Sequence, residues 1–158
     1  MKIIYVHHAE RDFNNFSDIN LRQLDDITLD GVKDADLLSS KIAKLNVTKI
    51  ITSSYLRCKH TAEILNKNLS VDIIYEDRFN EFKKGETIEE FLKRNIDAIE
   101  DIINEYNDSD NIICVTSGVN LTAFICHYYN INYDNKTPLV QAFSTSPVIF
   151  EYKTTINN

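Results

Sequence analysis

Four short segments of this chain combine residue types that can hold and transfer a phosphoryl group. His7 and His8 stand side by side in MKIIYVHHAE. Ser53, Ser54 and Arg57 share ITSSYLRC, Glu81 and Glu86 lie in DRFNEFKKGET, and Ser117 precedes Gly118 in VTSGVN. An arginine presents parallel N–H donors that match two phosphoryl oxygens. Serine hydroxyls add further donors. An imidazole nitrogen such as that of His8 can attack phosphorus and carry the group covalently. A carboxyl from Glu81 or Glu86 can protonate the departing oxygen. A glycine such as Gly118 lets backbone approach a ligand closely.

These residues must be brought together by elements that are far apart in sequence. Lys2–Val6 is β-branched and aromatic, which predicts a buried strand. Val47–Thr52, Val71–Tyr75, Asn111–Thr116 and Pro147–Tyr152 read as four more strands. Gly31–Leu45 carries Val32, Ala35, Leu38, Ile42 and Leu45 on one helical face, with Thr28 placed as a cap. Leu56–Leu69 and Gly118–Tyr129 predict two further helices. The strongest helical pattern starts at Thr87, where Thr87 and Glu90 form a capping box. Apolar residues from Ile88 to Tyr106 then recur at spacings of three and four. Alternating strands and helices predict an α/β fold, a three-layer α/β/α sandwich with a mainly parallel sheet. Ligands bind such sheets beyond the carboxyl ends of the strands. Three of the four reactive segments follow the first, second and fourth strands, and Glu81 lies in the stretch after the third.

Composition narrows the function. The chain has 158 residues, with 43% apolar and 26% charged side chains. It reads as one domain over residues 1–158. A formal net charge of −7 disfavours nucleic acid and anionic membrane as partners, so an anion must be caught by a local positive pocket. The apolar stretch before His7 is too short for a signal peptide, and no run long enough to span a membrane occurs. Cys58, Cys114 and Cys126 have neither metal-site nor disulfide spacing, which fits a reducing cytoplasm. No glycine pattern for a dinucleotide exists, since the only glycines are Gly31, Gly85 and Gly118. A receiver-type domain would need paired acids after the first strand, where this chain has His7 and His8.

Order and spacing of these segments resemble the histidine phosphatase superfamily, the phosphoglycerate mutase-like proteins, over nearly the whole chain. MKIIYVHHAE is similar to the family's opening strand and its Arg-His-Gly triplet. ITLDGVKDADLL is similar to its first helix start, and ITSSYLRCKHTAEIL to its Ser-Ser, Arg and Thr-Ala run. DRFNEFKKGET resembles the loop carrying the family's acid, and NIICVTSGVNL the strand and turn carrying its second histidine. The resemblance implies an α/β/α sandwich that works without metal or other cofactor. It implies His8 as the phosphorylated nucleophile, Glu81 as proton donor and Arg57 as phosphate ligand. His7, Ser117 and Ser54 are the remaining candidates for phosphate binding. His60, on the second helix just after Arg57, is within reach of the pocket rim but fits a surface residue better, and His127 is read as structural.

Two departures bear on activity. His7 stands where the family triplet has arginine, with Ala9 where it has glycine, and Ser117 stands where the second histidine belongs. A charged hydrogen bond contributes about 1.5–3 kcal/mol, so each loss implies roughly a ten- to hundredfold slower reaction. If His7 replaces a permanent cation, activity should rise toward mildly acidic pH. The leading expectation is a phosphatase acting on a phosphorylated small molecule or a phosphoprotein through phospho-His8, with reduced activity. A phosphate-binding or sensing module that has lost turnover, and phosphoglycerate mutase-type transfer, are the alternatives.

Overall fold

In the computed structural model, which describes residues 1–153, one five-stranded sheet organises the chain. The strands are β1 (Lys2–His7), β2 (Lys49–Thr52), β3 (Ile73–Tyr75), β4 (Asn111–Thr116) and β5 (Val148–Glu151). Their order across the sheet is β3-β2-β4-β1-β5. All neighbours pair in parallel except β5, which runs antiparallel along the edge of β1. Four α-helices accompany them: α1 (Leu29–Ile42), α2 (Leu56–Asn66), α3 (Ile88–Glu105) and α4 (Leu121–Tyr128).

Alternation along the strands divides the core into two layers. Ile3 and Tyr5 of β1 face the same side as Cys114 and Ile112, against Phe91, Leu92 and Ile99 of α3 and Phe124 of α4. Ile4 and Val6 face the other side with Ile113 and Val115, against Leu38 and Ile42 of α1 and Ala62 and Leu65 of α2. This is the α/β/α sandwich that the alternating pattern predicts, because a sheet buried on both faces needs apolar residues at every strand position. The three cysteines are buried and unpaired. Among the described residues, no helix is long and apolar enough to cross a membrane.

Local signals match the expected helix starts. The Thr28 hydroxyl accepts from the Gly31 N–H, and Thr87 and Glu90 make both bonds of the capping box. The element bounds differ modestly. The first helix tightens into a 3₁₀ turn at Ala43–Leu45, and the fourth begins with a 3₁₀ turn at Gly118–Asn120. The strands after residues 47 and 71 start two residues later than the β-branched runs suggest.

Gly118 departs from its expected use. A Cβ there would collide with the Ala142 carbonyl oxygen and lie 2.9 Å from Cγ of Gln141. The Ala142 N–H donates to the Gly118 carbonyl at 3.2 Å. The close approach that demands glycine is therefore to the loop before β5, and Gly118 also borders the cavity that His7 and His8 line. Gly118→Ala should destabilise the fold by about 1–3 kcal/mol, the usual cost of overpacking. A lower urea midpoint at unchanged slope is the expected result.

Candidate active site

β1 ends at His7, so the chain turns just where the two histidines begin. Their ring centroids lie 4.2 Å apart, and both rings line one cavity of about 540 Å³. Alternate strand residues face opposite sides, but this rule lapses here because His8 is already beyond the strand. Its N–H still donates to the Thr116 carbonyl at 3.0 Å, which anchors it to the end of β4. The next N–H, of Ala9, donates to the Thr61 hydroxyl at 3.0 Å, and that hydroxyl donates to the Arg57 carbonyl at 2.7 Å. The loop after β1 is thus fastened to α2. Gly31 lets α1 approach it, since a Cβ there would sit 2.7 Å from the Glu10 carbonyl oxygen.

The His8 ring is polarised by its partners. Nδ1 lies 2.7 Å from the Ala9 carbonyl, so it carries the proton and donates. Nε2 is left with its lone pair, and Arg57 Nε donates to it at 3.2 Å. Burial, then His7 and Arg57, push the His8 imidazolium well below its ordinary range, so the ring is neutral at physiological pH. A neutral imidazole with one unprotonated nitrogen is the nucleophilic form.

Arg57 is fully buried. Besides the His8 bond, its Nη1 donates to the Arg22 carbonyl at 2.8 Å, and its Nη2 pairs with Glu81 Oε2. Glu81 lines the same cavity. Its loop is held from behind by Arg94, whose guanidinium donates to the carbonyls of Arg78, Asn80 and Glu81. Thr116 and Asn120 both donate to the Phe79 carbonyl, at 2.6 and 3.1 Å. Ser117 also lines the cavity, and its buried hydroxyl has no hydrogen-bond partner among the described residues. The Tyr5 hydroxyl donates to the Ser117 carbonyl at 2.9 Å, so a core side chain sets the backbone of that turn.

Not every sequence candidate reaches the pocket. Ser54 is absent from the cavity wall. Its N–H and hydroxyl both bind the Asn80 amide, at 3.0–3.1 Å, because Asn80 needs partners once the loop after β3 folds against β2. Glu86 is held by Arg94 at 2.5 Å. Burial would raise its carboxyl, but the Arg94 bonds outweigh it and hold Glu86 below the usual range. His60 pairs with Asp26 at 2.6 Å, and His127 with the Tyr152 hydroxyl at 3.0 Å. His7 lies in the cavity, yet burial, followed by Arg57 and Arg11, pushes its pKa down to about 4. His7 is therefore uncharged between pH 5.5 and 8. The acid-favoured profile expected of a substitute cation does not follow from it.

Two features were missed. Arg11 lines the cavity and is 7% exposed. Its charge next to the histidine pair was a readable signal. Residues 141–145, before β5, close the far wall, and no motif in that stretch announces it.

His7 makes stability depend on pH. Its folded pKa of about 4 lies below the ordinary 6.5, so protons bind the unfolded chain more tightly. Stability is fully present above pH 6.5 and is lost as pH falls toward 4. The gap corresponds to on the order of 3 kcal/mol, with His8 acting in the same direction. Chemical unfolding at pH 7 and pH 4.5 should show this loss, and His7→Gln should reduce it.

Comparison with known proteins agrees with this geometry. The model of the histidine phosphatase superfamily (branch 1) matches residues 3–85 and 80–155. A curated relative from Photorhabdus laumondii, "Probable phosphoglycerate mutase GpmB", is 31% identical over 99 residues, covering 63% of this chain and 44% of that protein. The chain thus spans under half the length of this curated relative. Among solved structures, Bacillus stearothermophilus YhfR superposes with a TM-score of 0.75 at 19% identity, over 94% of this chain and 89% of that one. Phosphoserine phosphatase from Entamoeba histolytica gives 0.72 at 16% identity, over 94% and 89%. Mycobacterial glucosyl-3-phosphoglycerate phosphatase Rv2419c gives 0.73 at 12% identity, over 94% and 90%. At such identities the structures speak for the fold, while the family model spans nearly the whole sequence: this chain belongs to the histidine phosphatase superfamily.

Proposed function

We propose that the protein is a phosphatase that hydrolyses phosphomonoesters through a phosphohistidine at His8. One observation carries this reading: a buried, neutral imidazole keeps the lone pair of Nε2 beside the Arg57 guanidinium, in a cavity shared with Glu81 and Ser117. In the first step Nε2 attacks phosphorus and forms the N–P bond. The ester P–O bond breaks, and the leaving oxygen takes a proton from Glu81. Nδ1 keeps its proton throughout and donates to the Ala9 carbonyl, which stabilises positive charge on the ring. In the second step water attacks phosphorus, Glu81 takes its proton, and the N–P electron pair returns to Nε2. Phosphate leaves and the ring is restored.

Arg57 must exchange partners for this to occur. Its Nε and Nη2 donors, now on His8 and Glu81, turn to phosphoryl oxygens. That exchange also frees the Glu81 carboxylate to collect the proton brought by a monoanionic ester. Ser117 supplies an uncharged hydroxyl and His7 a neutral ring, so charge stabilisation at the transition state falls mostly on arginine. Ser54 stays with Asn80 and is a support for the loop that carries Glu81. The names of the relatives fit a phosphorylated small molecule or a phosphoprotein as substrate. A mutase needs an enclosed site that retains its intermediate, and this cavity is bordered by Phe13 and Phe143, which are 56% and 84% exposed. The uncharged Ser117 favours a second reading, a phosphate-binding module without turnover.

Hydrolysis of p-nitrophenyl phosphate that vanishes in His8→Ala supports the enzyme, together with an acid-labile phosphoryl label on the wild type. Binding of phosphate with no hydrolysis between pH 5 and 8 supports the module. Glu81→Gln should slow an alkyl phosphate about 10²–10⁴-fold and an aryl phosphate much less, since the aryl leaving group needs no proton. Ser117→His should raise kcat/KM by about ten- to a hundredfold.

A further inference from the structure

We infer that the phenylalanine-lined part of this cavity is a subsite for the alcohol part of the ester, and that the preferred substrates are phosphomonoesters of apolar, uncharged alcohols. The inference rests on the phosphate-site reading above and extends it to the group that departs from phosphorus. Phosphorus must come to Nε2 of His8, so the alcohol bound to it must lie elsewhere in the same cavity. At about 540 Å³ that cavity has the size of a pocket for an organic ligand rather than for a bare anion.

Exposed aromatic rings line the remaining space. The chain has eight phenylalanines, and the three exposed ones, Phe13, Phe16 and Phe143, all border this cavity. A large apolar side chain left in water forgoes the burial that stabilises a core. Several gathered at one concave site mark a place that something apolar covers. Both sides of the subsite are anchored. Phe13 and Phe16 meet edge to face with centroids 5.6 Å apart, and the Phe16 N–H donates to the Phe13 carbonyl at 3.2 Å. Phe13 has φ of +59°, a left-handed backbone that a bulky residue adopts only under constraint. Opposite them in sequence, the loop that carries Phe143 is fastened to the start of α4. The Ala142 N–H donates to the Gly118 carbonyl, and the Val140 N–H donates to the Thr122 hydroxyl at 2.8 Å. The backbone thus holds these rings at the cavity instead of letting them pack into the core.

Charge along the wall selects the same kind of group. Arg11, the cation of the lining, stands at the histidine end, 3.7 Å from the Glu81 oxygen that also pairs with Arg57. The other charged side chains of the lining are the carboxylates Glu10, Asp34 and Glu81, and among the described residues that border the cavity there is no lysine and no second arginine. With the phosphoryl group held at His8, an alcohol bearing a carboxylate or a second phosphate would meet like charge and find no cation of its own. An apolar alcohol needs no such partner, and it gains by covering the rings.

Titration calorimetry at pH 7 on the full chain, with phosphonates that cannot be hydrolysed, reads this preference whether or not an ester is turned over. 3-Phenylpropylphosphonate and propylphosphonate present the same anion and differ by one ring. The first should bind about five- to fiftyfold more tightly, the gain from burying much of that ring. Phe143→Ala and Phe16→Ala, both at exposed positions that the core does not need, should each cut this ratio by about threefold or more. 3-Phosphonopropionate, with a carboxylate in place of the terminal methyl, should bind more weakly than propylphosphonate. Wild-type affinities for the phenylpropyl and propyl compounds within twofold of each other would overturn the inference. So would a ratio unchanged in both variants, tighter binding of 3-phosphonopropionate, or binding of inorganic phosphate without 3-phenylpropylphosphonate. A wild type that binds neither inorganic phosphate nor any phosphonate rejects the phosphate-site reading itself, a distinguishable outcome.

Discussion

A guanidinium with no solvent contact needs its charge answered from within the protein, and that requirement organises this pocket. Arg57 is such a group. Removing a cation from water is costly unless every donor is met and a counter-charge is close. Arg57 meets the demand with three partners from three segments: the His8 ring after β1, the Arg22 carbonyl before α1, and the Glu81 carboxylate after β3. Each of these loops has little regular structure of its own. The buried charge supplies a reason for all three to converge on the start of α2. Breaking any one contact leaves a polar group stranded in a dry interior, so the loops are tied to one another through the arginine.

The same electrostatics shape what the pocket can accept. Arg11 at the cavity wall and Arg57 behind His8 place two buried cations at one site of a chain whose overall charge is −7. The local field is therefore opposite in sign to the global one. Asp25 and Glu81 partly neutralise it, and they lie where an incoming anion would compete. Binding becomes an exchange of one anion for another rather than the filling of a bare positive hole. Both histidines stay neutral here because burial and the arginines disfavour a further positive charge. The proposed nucleophilic role, which needs an unprotonated His8, and the structural demand for few uncompensated charges thus point the same way.

Support for the site comes mostly from polar groups at the ends of core elements. Arg94 on α3 gathers the carbonyls of the Glu81 loop. Asn80 binds Ser53 and Ser54 at the end of β2. Asn120 joins Phe79 to Asn95. Each bond crosses between segments that are distant in sequence. None belongs to a short motif, which is why Ser54 could pass for a ligand when read from its neighbours alone. Its hydroxyl is of the right type and follows the right strand, but the decision rests on an asparagine 26 residues later.

Strand and helix identity, both core faces and the helix caps at Thr28 and Thr87 were legible in the sequence, because each depends on periodicity or on contacts within a few residues. The segments bearing His8, Arg57, Glu81 and Ser117 were legible as well, since a parallel sheet sends all its strand ends to one side. Tertiary structure alone decided which polar groups within those segments face the cavity and in what state of charge. His7 reads as a cation until burial beside two arginines makes it neutral, Gly118 borders the cavity but owes its lack of a side chain to the Ala142 carbonyl, and the burial of Arg11 against Phe13 and Phe16 shows only in the fold. Periodicity is a property of neighbours along the chain, whereas burial, charge compensation and close approach are properties of neighbours in space.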